Sequence, residues 1–232
     1  MDQTTQTPQN TPENQDMDQT TQPPQYTPAE EICNCLVHFA GSVAAVIGAY
    51  RLVAASDSPS YVISALIYGV ALFSMFVTST MYHAIRDQEV KAFVRKFDHA
   101  MIYFAIGGTY VPIVNAIVPT VQGMIWYGGL GLCAVVGAVS SFLTLKHKYV
   151  TTAVYLVMGW ASLLLLPKML HLPEEFHVSG TRMAGLLIGG GVVYSIGAAL
   201  YLIKLRFVHS VFHVFVVGGA VLQYLAIRML YS

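Results

Sequence analysis

The sequence is short of charge. Only 10% of its 232 residues are Asp, Glu, Lys or Arg, where a soluble domain carries about 25%. With 55% of residues hydrophobic, a water-soluble fold could not cover its surface with polar groups, and the bilayer is the natural solvent. Acidic and basic residues cancel, twelve against twelve, so no basic excess points to nucleic acid. Cysteine is scarce too. Cys33, Cys35 and Cys133 are too few and too poorly placed for a disulfide framework. A spacing of two puts Cys33 and Cys35 on different helix faces, and all three read as small packing residues. A secretory leader would open with a basic patch and a short apolar run. The first 29 residues hold neither Lys nor Arg, so the first apolar helix is expected to act as its own insertion signal.

What the first 29 residues do hold is Gln, Thr and Pro, arranged as a duplication. Residues 1–12 read MDQTTQTPQNTP and residues 17–28 read MDQTTQPPQYTP. Such a stretch has almost nothing apolar with which to build a core, and residues 1–29 are expected to be a disordered polar tail. Slippage during replication is the plain origin of the repeat, and Met17 can serve as an alternative start.

From residue 30 to 232 the composition changes to that of a transmembrane domain. Segments of about 20 apolar residues cross about 30 Å of hydrocarbon as helices. Seven are expected, near 32–53, 61–85, 98–118, 123–145, 150–170, 181–203 and 208–230, with 86–97 and 171–180 as the most polar connections. The fold class is thus all-α, a polytopic seven-helix bundle. One side carries Arg86, Lys91, Arg95, Lys96, Lys146, Lys148, Lys204 and Arg206; the other carries Arg51, Lys168, Arg182 and Arg228. That bias predicts a cytosolic N-terminus and an outside C-terminus, with the plasma membrane as the expected host.

Ionisable residues inside membrane spans are costly and mark function by default. His38, His83, Asp98, His99, His209 and His213 all fall at the end predicted to be cytosolic, whereas His147, His171 and His177 lie in connections. His209 and His213 are four apart, so their imidazoles share one helix face. An i,i+4 pair also arises from interfacial or packing histidines, and taken alone it leaves both readings open. His83 at the same depth supplies a third imidazole, and three histidines with one open position form a catalytic zinc arrangement. Asp98 is placed to orient or deprotonate a water whose pKa zinc lowers toward roughly 7. Ser79 lies one turn before His83 on the same face. His99 points about 100° from Asp98 and reads as supporting or packing. Glu31, Asn34 and His38 share a face of the first helix and read as support for the site rather than ligands.

Glycine clusters at Gly107–Gly108, Gly128–Gly129, Gly189–Gly191 and Gly218–Gly219 are expected where helix backbones approach closely. Pro112 and Pro167 are expected to kink or end their helices.

Four blocks resemble one known family. The first helix opens EEICNCLVHFAG, the second ends STMYHA, the third holds FDHAMIYFAIGGTYVPI, and the seventh opens HSVFHVFVVGGAVLQY. In order and spacing these are similar to the Glu-x-x-Asn-x-x-x-His, Ser-x-x-x-His, Asp-His and His-x-x-x-His blocks of the hemolysin III family, microbial relatives of the progestin and adipoQ receptors. The resemblance covers residues 30 to 225. It implies seven helices with the N-terminus inside, zinc held by His83, His209 and His213, Asp98 beside the zinc-bound water and Ser79 close by. The wider superfamily includes alkaline ceramidases, which implies hydrolysis of a lipid amide entering from the bilayer. The duplicated tail has no counterpart in that pattern.

Three functions follow as expectations. A zinc-dependent hydrolase of a ceramide-like amide ranks first. A receptor for a small or lipidic ligand ranks second, and a pore-forming or ion-conducting protein third. A lipid substrate or ligand is the expected partner, and no soluble protein partner can be inferred.

Overall fold

A computed structural model describes residues 23–143 and 145–231. The first copy of the repeat and the start of the second, residues 1–22, lie outside the described residues, and with them most of the stretch 1–29 expected to be disordered. Residues 23–27 carry no regular secondary structure, and helix begins at Pro28. Among the described residues, seven helices are long and apolar enough to cross a membrane, and there is no strand. They are α1 (Pro28–Ala54), α2 (Pro59–Ala84), α3 (Gln88–Ile117), α4 (Thr120–Leu143), α5 (Lys148–Leu170), α6 (Gly180–Tyr201) and α7 (Val208–Tyr231). The chain is a polytopic all-α membrane protein.

The ends are set by local chemistry. Thr27 and Glu30 form a reciprocal capping box at the start of α1, satisfying two of the N–H groups a helix start leaves bare. Proline opens α1 and α2, where its missing N–H costs nothing. The stretch 86–97, expected as a connection, is helical from Gln88. Asp87 accepts from Glu89 N at 3.0 Å and Val90 N at 2.9 Å, and this cap starts α3 ten residues before Asp98. The polarity of that segment belongs to a helix leaving the membrane rather than to a loop. Pro112 sits inside α3 without ending it. Around Pro167, α5 breaks into a 3-10 stretch over Ala161–Leu165, because proline has no N–H for the carbonyl one turn back. The Tyr110 hydroxyl donates to the carbonyls of Met158 at 2.7 Å and Gly159 at 2.9 Å, just before the break.

Packing runs α1 on α2, α2 on α3, α3 on α4 and α6 on α7, with α7 returning to α1. The polarity of the bundle is inverted relative to a soluble protein. On α1 the buried face is Asn34, His38, Ser42 and Ala45, while Ile32, Leu36, Phe39 and Val43 are exposed. Glycines permit the close approaches. A Cβ at Gly69 would lie 2.3 Å from the Ala49 Cβ, one at Gly108 2.6 Å from the Ala71 Cβ, and one at Gly219 2.8 Å from the Tyr194 ring. Gly128 and Gly129 depart from expectation, with nothing within 4 Å of either position. They lie on a side of α4 that no helix covers, and glycine spacing alone does not reveal which side that is.

Candidate metal centre

Two helices bring the three histidines together at the end of the bundle where α1 begins. His83 closes α2, and His209 and His213 stand one turn apart at the start of α7. One nitrogen from each lies within 4.8 Å of the others, a grouping that can hold a metal ion. His83 Nε2 and His213 Nε2 face each other at 3.0 Å. The His209 ring centroid is 4.4 Å from that of His213 and 5.4 Å from that of His83.

The surroundings fix these rings. Glu31 Oε2 lies 2.6 Å from His83 Nδ1. A carboxylate only accepts, so Nδ1 carries the proton and Nε2 is left with its lone pair toward the other imidazoles. Asn34 Nδ2 is 3.3 Å from the same Nδ1, but two donors cannot bond each other, and the shorter Glu31 contact takes the hydrogen bond. Asn34 Oδ1 accepts from the Ser210 hydroxyl at 2.5 Å, which ties α1 to α7 beneath the pair. The other Glu31 oxygen accepts from Lys91 Nζ at 2.6 Å. Lys91 is 3% exposed and also donates to the Ile85 carbonyl at 3.2 Å.

The donor set fits a metal. His213 Nδ1 is buried with no partner, and so is the hydroxyl of Ser79. A helical serine in an apolar setting ordinarily bonds a carbonyl one turn back. Its neighbours do so: Thr78 donates to Ser74 O at 2.6 Å and Thr80 to Phe76 O at 2.8 Å. Ser79 keeps its hydroxyl for the interior. His38 is buried edge-on against His213, ring centroids 4.0 Å apart, and neither of its nitrogens has a partner. It therefore stands beside the cluster rather than behind it.

These groups share one cavity of about 190 Å³, many times the roughly 10–15 Å³ that one water needs. Asp98, His99, Ser79, His38, His209 and His213 line it at the histidine end; Ile106, Ile113 and Val216 line it farther along. Asp98 sits about 15 Å into α3, ten residues at 1.5 Å each, rather than at its start. His99 turns aside, with Nδ1 3.1 Å from Arg95 O and Nε2 3.4 Å from the Tyr201 hydroxyl. Its backbone carbonyl accepts from Tyr155 at 2.8 Å, which ties α5 to α3.

A profile of the haemolysin-III-related family matches residues 26–224. The chain belongs to this family. It is 30% identical over 207 residues to "Hemolysin-3 homolog" of Bacillus subtilis (strain 168), covering 85% of this chain and 92% of that protein. It is 28% identical over 203 residues to "Hemolysin-3" of Bacillus cereus, covering 85% and 90%. The human "Monocyte to macrophage differentiation factor" is 30% identical over 210 residues, covering 85% and 83%.

Within this haemolysin-III-related chain the structure adds residues that the sequence reading passed over. Lys91 lies in the stretch expected as a connection, and only the helical start of α3 turns it inward to Glu31. Glu30 accepts from the Phe207 backbone N–H at 2.7 Å and holds the start of α7 against α1. Tyr26 stacks on His209, centroids 4.7 Å apart and planes 18° apart. Burial pushes its phenol well above the usual tyrosine range, so the ring is neutral where it meets the histidines.

Proposed function

We propose that this chain is a zinc-dependent hydrolase that cuts an amide bond in a membrane lipid. One observation carries the reading. Three imidazoles are able to share an ion, and two of them, His209 and His213, open together with Ser79 and Asp98 into an apolar cavity that extends along the bundle. His209, His213, Val216 and Gln223 all line it from one face of α7. Fourteen residues of helix separate the first from the last, about 21 Å, a length suited to an acyl chain.

The side chains divide the work. His83, His209 and His213 hold the ion, and Glu31 keeps His83 in the tautomer that leaves Nε2 bare. Zinc, when bound, supplies a Lewis acid that polarises a carbonyl and makes water acidic near neutral pH. Asp98 accepts the proton of the attacking water and returns it to the nitrogen as the C–N bond breaks, which yields a fatty acid and an amine. Ser79, free of any intrahelical bond, donates to the carbonyl oxygen as negative charge builds there. Eight of the twelve Lys and Arg residues lie at the histidine end, which favours placing that end, and the N-terminus, in the cytosol.

The test starts with metal content by plasma mass spectrometry of folded wild type and a His83→Ala/His209→Ala/His213→Ala variant. About one zinc per chain in the wild type alone, with fatty acid released from a ceramide-type amide, is the expected result. Near-zero zinc in both proteins would falsify the reading. The names of the Bacillus relatives favour a second reading, a lytic or ion-conducting protein with His38, His83 and Asp98 along its path. Dye efflux from liposomes without any amide cleavage would replace the first reading with that one. Saturable binding of an intact amide without turnover would replace it with a receptor.

A further inference from the structure

The duplicated tail ends on the metal centre. The two copies of the repeat differ at two positions only: Thr7 against Pro23 and Asn10 against Tyr26. Both altered positions are covered to some degree in the second copy, beside Pro24, which the copies share. Pro23 is buried, and Tyr26 lies flat on His209 with its ring 5.9 Å from that of His83. Gln25 and Thr27, unchanged between the copies, remain exposed. Pro24 and Tyr26 line the same cavity as Ser79, Asp98 and His213.

The segment is tied down on both sides of the mouth. Gln25 Nε2 donates to Gln88 Oε1 at 3.2 Å, at the start of α3. On the other side the Thr27–Glu30 box is joined to the start of α7 by the Phe207 N–H at 2.7 Å. Phe207 has a left-handed backbone, φ 61°, and is the residue that lets the chain turn into α7 there.

We propose that residues 23–27 form a strap across the end of the bundle, with Tyr26 as the stopper that bars water-borne solutes from the three imidazoles. Ligands of the centre are then selected by route: those dissolved in the bilayer reach it along the apolar cavity, and those dissolved in water are excluded at the Tyr26 end. The strap stands independently of whether the centre is hydrolytic. The second copy of the repeat is thereby a functional part of the site, and the first copy lacks the two residues that do this.

The test is the reaction of His209 with diethyl pyrocarbonate, mapped by peptide mass spectrometry. It uses the full chain in nanodiscs, after chelator treatment so that no bound ion shields the ring. Wild type is compared with Tyr26→Asn, the residue of the first copy, and with Tyr26→Phe, which keeps the ring. His147 and His177, both exposed, are internal standards. In wild type and Tyr26→Phe, His209 should react at least about ten-fold more slowly than His147. In Tyr26→Asn it should approach the His147 rate while His38 and His213 stay unreactive. Three results overturn the proposal. His209 remains slow in Tyr26→Asn, or is already fast in wild type, or His38 and His213 open together with it as in a loosened bundle. A metal-free or catalytically silent protein leaves this readout intact, so a failure of the hydrolase reading is seen separately.

Discussion

Glu31 holds His83 at 2.6 Å, carboxylate oxygen to Nδ1, across fifty-two residues of sequence. That contact decides which nitrogen of His83 is available, so α1 sets the chemistry of α2. Removing a partner of this kind ordinarily lowers metal affinity about 10- to 100-fold. Glu31→Ala is therefore expected to weaken zinc binding by that factor, read by competition with a chelator of known affinity. Unchanged affinity would mean that His83 does not ligate through Nε2.

Lys91 is the cation that makes a half-buried Glu31 tolerable. Lys91→Met leaves the carboxylate facing His83 with no permanent positive charge beside it, at a cost of about 3 kcal/mol. In a Glu31→Gln background the same change should cost far less. Denaturant unfolding of the four proteins measures the coupling, and equal costs in both backgrounds would mean that the two residues do not support each other.

Ser79→Ala should leave metal content and melting temperature near wild type, because its hydroxyl makes no bond within the protein. Amide turnover should fall about 100- to 1,000-fold, the usual loss for one donor to a developing oxyanion. A full-rate Ser79→Ala enzyme would take that residue out of the reaction.

Gly69→Ala puts a Cβ 2.3 Å from the Ala49 Cβ. Neither atom is the end of a flexible chain, so α1 and α2 must separate, at a cost of about 1–3 kcal/mol. Gly128→Ala meets nothing within 4 Å and should be neutral or stabilising by up to about 1 kcal/mol. Thermal unfolding in one detergent compares the two directly.

These residues also mark how far the sequence could be read. Seven apolar runs located seven helices because the bilayer demands a fixed length, and the four-residue spacing of His209 and His213 put both on one face. Their meeting with His83, from the far end of a different helix, followed from shared depth alone. Lys91 escaped because a helix emerging from the membrane has the composition of a loop, and only the Asp87 cap distinguishes the two. Gly128 escaped because small residues on an uncovered face look like small residues at a contact. Tyr26 escaped because its neighbours are Gln, Thr and Pro. Its signal was the single aromatic inside an otherwise copied segment, and a comparison of the two copies would have found it.

Every element of the strap lies downstream of Met17: Tyr26 itself, the Gln25 side chain, the Thr27–Glu30 cap, and their partners at Gln88, Phe207 and His209. Translation begun at the second methionine would therefore keep every one of these residues. Trimming ten residues past Met17 would remove the stopper and change which molecules can reach the histidines.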